Sequence, residues 1–202
     1  MKENKKLIIG IDSPAAAGAG TQAKLIAKYY NLYHLDTGKL YRYLGLIRIK
    51  EPKKFNYKYI KNKIKKLKIS DLSKKNLLSN EIAVSASKVS KIAFVRKAIL
   101  NFQRLSAIKP PRRYNGSVLD GRDINHRVLP NAKIKFFITA SLKVRARRRY
   151  NELKELNRSK SLKYPVVLES LKKRDKSDRD RPKKLGKLFK TKDSFLINTT
   201  NL

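Results

Sequence analysis

Leu7-Ile8-Ile9-Gly10-Ile11-Asp12-Ser13-Pro14-Ala15-Ala16-Ala17-Gly18-Ala19-Gly20-Thr21-Gln22-Ala23-Lys24-Leu25-Ile26-Ala27-Lys28-Tyr29-Tyr30 is the stretch on which the fold turns. Leu7 to Ile11 is a short apolar run with β-branched side chains, as expected of a buried strand. Asp12 to Gly20 consists of small and turn-forming residues and predicts a loop. Ala23, Ile26, Ala27 and Tyr30 then recur at helical spacing. A strand, a loop and a helix therefore follow one another within 24 residues.

The rest of the chain repeats that alternation. Leu32 to Leu35, Ser117 to Leu119, Ile134 to Ile138 and Phe195 to Ile197 predict further strands. Ile92, Val95, Ile99 and Phe102 mark one face of a helix, which Pro110-Pro111 interrupts. A very basic helix is expected from about Ser141 to Leu156, a polar loop over Asn157 to Tyr164, and another helix over roughly Val166 to Lys176. Arg48 to Lys75 holds scattered Ile, Tyr and Leu among basic residues; it reads as an insertion or a solvated helical pair and receives no chemistry. Strands alternating with helices imply an α/β fold with a mainly parallel sheet covered on both faces. In such sheets ligands bind beyond the carboxyl ends of the strands. Asp12, Asp36, Asp120 and Thr139 each fall just past a predicted strand end.

Composition narrows the function classes. The chain has 202 residues, 41% of them hydrophobic, enough for one domain with a buried core. No apolar run approaches the ~20 residues that span a bilayer, and the basic start is followed by too short an apolar stretch for a secretory signal. A cytoplasmic protein without a membrane partner is expected. There are no cysteines, and only two histidines, His34 and His126. Disulfides and thiolate chemistry are thereby excluded, and neither a structural zinc nor another protein metal site is expected. Lys+Arg number 51 against 15 Asp+Glu, a formal charge of +36. Either a polyanion partner or a general overuse of lysine, as an A/T-rich genome produces, accounts for that excess. The lysines are spread along the chain and no aromatic-basic RNA-binding motif is present, so no specific nucleic-acid partner is expected. The arginines instead cluster at Arg145–Arg149 and Arg174–Arg181, and arginine makes the forked contacts that phosphates favour.

A phosphate loop reads G-x-x-x-x-G-K-[ST], its backbone N–H groups cradling phosphates at a helix N-terminus. Here Ser13, Pro14, Ala15, Ala16, Ala17, Gly18, Ala19, Gly20 and Thr21 stand in that pattern. Gly18, Gly20 and Thr21 match it. Ser13 replaces the opening glycine, Ala16 a second glycine common in nucleotide kinases, and Ala19 the lysine.

Later motifs carry a stronger resemblance. Leu35-Asp36-Thr37-Gly38-Lys39-Leu40-Tyr41-Arg42 resembles the D-T-G-x-x-Y-R segment of bacterial cytidylate kinases. The likeness continues in order through Ser85–Ser90, Val95–Ala98, Asp120-Gly121-Arg122-Asp123 and Pro130–Ser141. Arg174 to Arg181 fits R-D-x-x-D-x-x-R, and Ile197-Asn198-Thr199-Thr200 resembles a closing I-D-T-T. The resemblance implies a three-layer P-loop NTPase fold with a core of about 1–44, 111–149 and 166–202. It also implies a monophosphate-binding insertion near 45–110 and a small lid near 150–165. The implied activity is transfer of the γ-phosphoryl group of ATP to CMP or dCMP, with Mg2+ carried largely by the ATP phosphates and by water. A monomer is implied as well.

Such a transfer needs alignment and positive charge more than a general base, because the acceptor oxygen is already anionic. By resemblance, Arg42, Arg122 and Arg174 hold the acceptor phosphate, and Arg181 joins them or bridges toward the transferred group. Ser87, Arg96 and Asp123 select cytosine, Asp178 meets the ribose, and Thr37 and Tyr41 line the pocket. Arg145, Arg147, Arg148 and Arg149 offer one or two further contacts to ATP. Asp12 is placed to orient a metal-bound water. Where the family reads I-G-T after Asp123, this chain has Ile124-Asn125-His126, so a reshaped turn is expected, with His126 a turn residue. Two hypotheses follow from the missing lysine charge. Lys39, where the family has an apolar residue, fills the space, or the protein is a weakened nucleotide binder. A basic nucleic-acid-binding protein on a kinase-like scaffold is the reading from another class.

Overall fold

The computed structural model describes residues 6–157 and 162–202. Five strands form one sheet: β1 (Leu7–Asp12), β2 (Leu32–Asp36), β3 (Gly116–Gly121), β4 (Ile134–Thr139) and β5 (Phe195–Asn198). Their order is β2-β3-β1-β4-β5, and each pairing is parallel. All six residues of β3 and the last four of β1 are buried. Strands of that kind need cover on both faces.

Alternation along the strands sends successive side chains to opposite faces. Ile9, Ile11, Val118 and Ile138 meet α1 (Ala19–Tyr29) through Ala19, Ala23 and Ala27. The buried stripe of α1 thus recurs every fourth residue, with Ile26 packed beside it. Tyr30, expected on that stripe, lies past the end of the helix and is 51% exposed. On the other face Leu35 and Leu119 pack with Leu40 of α2 (Thr37–Lys50) and Ala107 of α5 (Ala93–Ile108). The result is the three-layer α/β arrangement that the alternation of elements implied.

A separate hydrophobic cluster joins the far half of α2 with α3 (Tyr57–Lys65), α4 (Asn80–Val89) and α5. Ile60 and Ile64 belong to it, and Leu72 is also buried, so the segment from Arg48 to Lys75 contributes to the core. Its basic side chains had hidden an amphipathic face. Gly45 permits a close approach here: a Cβ on it would stand 2.8 Å from the Ala86 backbone nitrogen of α4.

The remaining helices are α6 (Leu142–Asn157) and α7 (Tyr164–Asp180). Ala146 and Leu171 pack them together against Ala15. α7 outruns its sequence-based estimate because Asp175 and Asp178, on one face, are buried against arginines. Of the expected lid near 150–165, residues 158–161 lie outside the described residues, and the remainder is the end of α6 and the start of α7. No described helix is long and apolar enough to cross a membrane.

Candidate functional site

β1 is central, with β3 on one side and β4 on the other, so the chain turns opposite ways from neighbouring strand ends. Ligands bind at such a switch point. A cleft of about 560 Å³ opens there. One wall is the Ser13–Thr21 loop, and the other comes from α2, α4, the end of β3, α6 and α7.

The loop conformation follows from its residues. Gly18 has φ +88° and starts α1, leaving backbone N–H groups of the first helical turn without helical partners. Ala16 has φ +60°, a left-handed conformation that costs an L-residue roughly 1–2 kcal/mol. That is where the expected second glycine is missing. Ala16→Gly is therefore expected to raise stability by about 0.5–1 kcal/mol after glycine's own entropy is counted, read as a higher urea midpoint. An unchanged or lower midpoint would show that Ala16 carries no such strain. Neighbouring side chains hold the loop from behind. Arg145 donates to the Ala15 carbonyl at 3.2 Å while making two hydrogen bonds to Asp175. Thr199 donates to the Ala17 carbonyl at 2.9 Å. In turn Arg148 donates to the Thr199 hydroxyl and to the carbonyls of Thr199 and Leu202.

Asp12 does not orient a metal-bound water. It is fully buried, and its two carboxylate oxygens accept from the Ile124 and Asn125 backbone N–H groups at 2.7 and 3.0 Å. Burial pushes its pKa up to about 7, against the pull of those two donors. Its role is to tie β1 to the π-helical turn Ile124–Val128. Asn125 lies over Gly10, where a Cβ would come within 2.5 Å of its side-chain oxygen, and donates to the Phe136 carbonyl. His126 packs its ring on Phe189 at 4.6 Å, and desolvation lowers its pKa. Ile124-Asn125-His126, where the family reads I-G-T, forms this π-helical turn.

Arg42, Arg122 and Arg174 converge in the cleft together with Arg149 of α6. Arg174 is open to the water of the cleft yet ringed by protein. Desolvation, followed by Arg122 and then Arg42 and Arg149, lowers its pKa to about 10, with Asp178 opposing. Arg42 is lowered likewise by desolvation and by Arg149. Cations that repel one another in this way are placed to receive an anion. Arg149 could not be told from its neighbours in sequence. The signal available was helical spacing, since Arg145 and Arg149 are four apart and share a face, whereas Arg147 is exposed over Tyr164.

Deeper in the cleft Arg96, 1% exposed, pairs with Asp123, and its guanidinium lies 5.4 Å from the Tyr41 ring centre. Burial pushes the Asp123 carboxyl up, but Arg96 and Arg127 outweigh it and hold it below the ordinary carboxylate range. Both arginines contact Oδ2. Ser87 lines the same pocket, and Thr37 there donates to the Asp120 carbonyl at 2.7 Å. Asp178 accepts from Arg181 at 2.8 Å and from Arg122 at 3.2 Å. Gly186, which the sequence reading passed over, has φ +82° and brings its backbone against Arg96, where a Cβ could not fit. His34, one of the two histidines, meets Asp120 at 2.7 Å.

The structure thus gathers Thr37, Tyr41, Arg42, Ser87, Arg96, Arg122, Asp123, Arg174, Asp178 and Arg181 around one cleft with the Ser13–Thr21 loop. Lys39 is not among its lining. It sits in the first turn of α2, where its backbone N–H donates to Asp36, the residue that caps the helix.

A family model described as cytidylate kinase matches residues 9–202. A cytidylate kinase of Xanthobacter autotrophicus is 38% identical over 196 residues, covering 97% of this chain and 90% of the relative. One from Bartonella bacilliformis is 39% identical over 202 residues, covering 96% of this chain and 87% of the relative. One from Fusobacterium nucleatum is 37% identical over 208 residues, covering 97% and 91%. Among solved structures, an uncharacterized protein from Eubacterium ventriosum superposes with a TM-score of 0.53 at 16% identity. The match covers 98% of this chain and 90% of the other, a likeness of fold.

Proposed function

The chain belongs to the cytidylate kinase family, and from that premise we propose that it transfers the γ-phosphoryl group of ATP to CMP or dCMP, giving CDP or dCDP. The observation that carries this reading is the convergence of Arg42, Arg122, Arg149 and Arg174 opposite the Ser13–Thr21 loop. Two phosphate sites facing each other across one cleft suit phosphoryl transfer, in which alignment and charge do most of the work.

In this reading the loop N–H groups and the start of α1 cradle the ATP phosphates. Arg42, Arg122 and Arg174 grip the acceptor monophosphate, and Arg181 spans toward the transferred group. The acceptor oxygen is anionic and needs no base, so these groups orient it in line and offset the charge that spreads over the transferred phosphoryl oxygens. Asp123, kept ionised, accepts from the exocyclic amine of cytosine, while Ser87 and Arg96 offer donors to its carbonyl and ring nitrogen. Asp178 meets the ribose. The helices over 45–110 act as the monophosphate-binding insertion, and residues near 150–165 as the lid. The protein works as a monomer in the cytoplasm.

Mg2+ fits this site as an ion carried in with the nucleotide. Among the described residues no group of three or more His, Cys, Asp or Glu is arranged to hold a metal. Asp120, however, presents Oδ2 3.8 Å from where a Cβ on Gly20 would be, while His34 occupies its Oδ1. Asp120 and the Thr21 hydroxyl are the groups that would hold the ion or its waters. When bound, the ion would neutralise charge on the β- and γ-phosphates.

The test pairs an assay of ATP-dependent CMP phosphorylation with melting in CMP, dCMP, UMP and AMP. Transfer is expected, with CMP and dCMP raising the melting temperature more than UMP or AMP. A ligand at 100 times its Kd adds about 2.7 kcal/mol of stability. A CMP shift without transfer would favour the weakened binder. Salt-dependent RNA binding without a CMP shift would favour the nucleic-acid reading.

A further inference from the structure

The start of α1 lacks a charge where the donor phosphates would lie: Ala19, 5% exposed, packs in the α1 cluster and also lines the cleft, but carries no cation. We propose that Lys24 supplies the positive charge on the donor phosphates that Ala19 cannot, reaching back along α1 past Thr21. The proposal rests on the reading of Ser13–Thr21 as the donor-phosphate cradle.

Lys24 follows Thr21 by three residues, so the two share a face of the helix. Side chains on an α-helix lean toward its N-terminus. The Lys24 side chain is thus directed up the helix toward the loop. It is exposed and lines the cleft together with Gly20 and Thr21. Lysine is a compact charge on a flexible four-carbon stem, suited to following a phosphate without a fixed fork geometry.

The other cations near the loop are engaged elsewhere. Arg148 comes within 3.9 Å of a Cβ position on Gly18, but its guanidinium is taken up by Thr199 and the Leu202 carbonyl. Arg145 is paired with Asp175, and Arg149 with Glu152. Lys39 does not line the cleft. Lys24, by contrast, has no ion pair among the described residues. It is a cation beside the loop that is not already committed to a carboxylate.

A cycle of Lys24→Ala and Ala19→Lys tests this. Lys24→Ala alone is expected to lower kcat by about 10²-fold, the effect of losing one phosphate-directed donor, with KM for CMP changed by less than about twofold. In the Ala19→Lys background the same change is expected to cost less than about threefold, because one charge then replaces the other. An equal loss in both backgrounds, or no loss in either, would overturn the proposal. Lys24→Arg, which keeps the charge, should retain most of the activity. Calorimetry with ATP and AMP provides a readout that does not need turnover. Lys24→Ala should weaken ATP at least about 10-fold and leave AMP unchanged, since AMP lacks the β- and γ-phosphates. Equal affinities for ATP in parent and variant would overturn the assignment even if no transfer were seen. Absence of transfer in the parent would count against the proposed activity instead.

Discussion

Arg174→Gln is expected to lower kcat/KM for CMP by about 10²–10³-fold, an effect typical of removing one preorganised donor from a charged transition state. Its position supports a figure at the top of that range. Arg174 stands on α7 between Arg122, Arg42 and Arg149, with Asp178 as the nearby acid that favours its charge. A group so placed is destabilised by its cationic neighbours and relieved when an anion arrives, so its interaction strengthens as phosphate charge enters. The variant should not lose stability, because removing one cation from a repelling cluster leaves the fold the same or firmer. Steady-state kinetics with varied CMP, alongside a denaturation curve, separates the two effects. A loss below about threefold at unchanged stability would remove Arg174 from the acceptor site.

Asp123→Ala should have the largest effect on stability. Arg96, with 1% of its surface exposed, would be left with a buried charge and without its hydrogen-bonded carboxylate. Breaking a buried pair from one side costs about 3–5 kcal/mol, to be read from denaturant unfolding. Base selection should fail with it. In Asp123→Asn the side-chain shape is kept, and the amide now offers a donor as well as an acceptor. Uracil presents a carbonyl where cytosine presents an amine, so this variant should gain on UMP relative to CMP. Unchanged preference in Asp123→Asn would mean that the carboxylate serves only to neutralise Arg96 and Arg127.

Much of the cleft was legible before its geometry was seen. The D-T-G-x-x-Y-R, D-G-R-D and R-D-x-x-D-x-x-R runs placed Thr37, Arg42, Arg122, Asp123, Arg174, Asp178 and Arg181 in order, and the fold brings them around one space. Those motifs are local: each sits at one strand end or on one helix face, so neighbouring residues suffice to recognise it. Other positions were not legible. Asp12 reads as a phosphate-side acid and is in fact closed by two backbone N–H groups from a turn more than 100 residues away. Arg149 is one of several arginines on α6, and only the packing of that helix separates those facing the cleft from those facing water.

The opening stretch divides in the same way. From sequence alone, its apolar run, small-residue loop and helical stripe determined a strand, a turn and a helix, because hydrophobic period and turn chemistry are properties of adjacent residues. They also determined that the loop lacks the lysine of its pattern. Which of the other cations near that loop are already paired, and that Lys39 does not line the cleft, were decided by tertiary structure. Lys39, close to it in motif logic, is carried off the cleft by the first turn of α2, and Lys24 is carried into its lining by the face it shares with Thr21. Charge acts through space, and the distances between side chains from different elements exist only once the helices are packed.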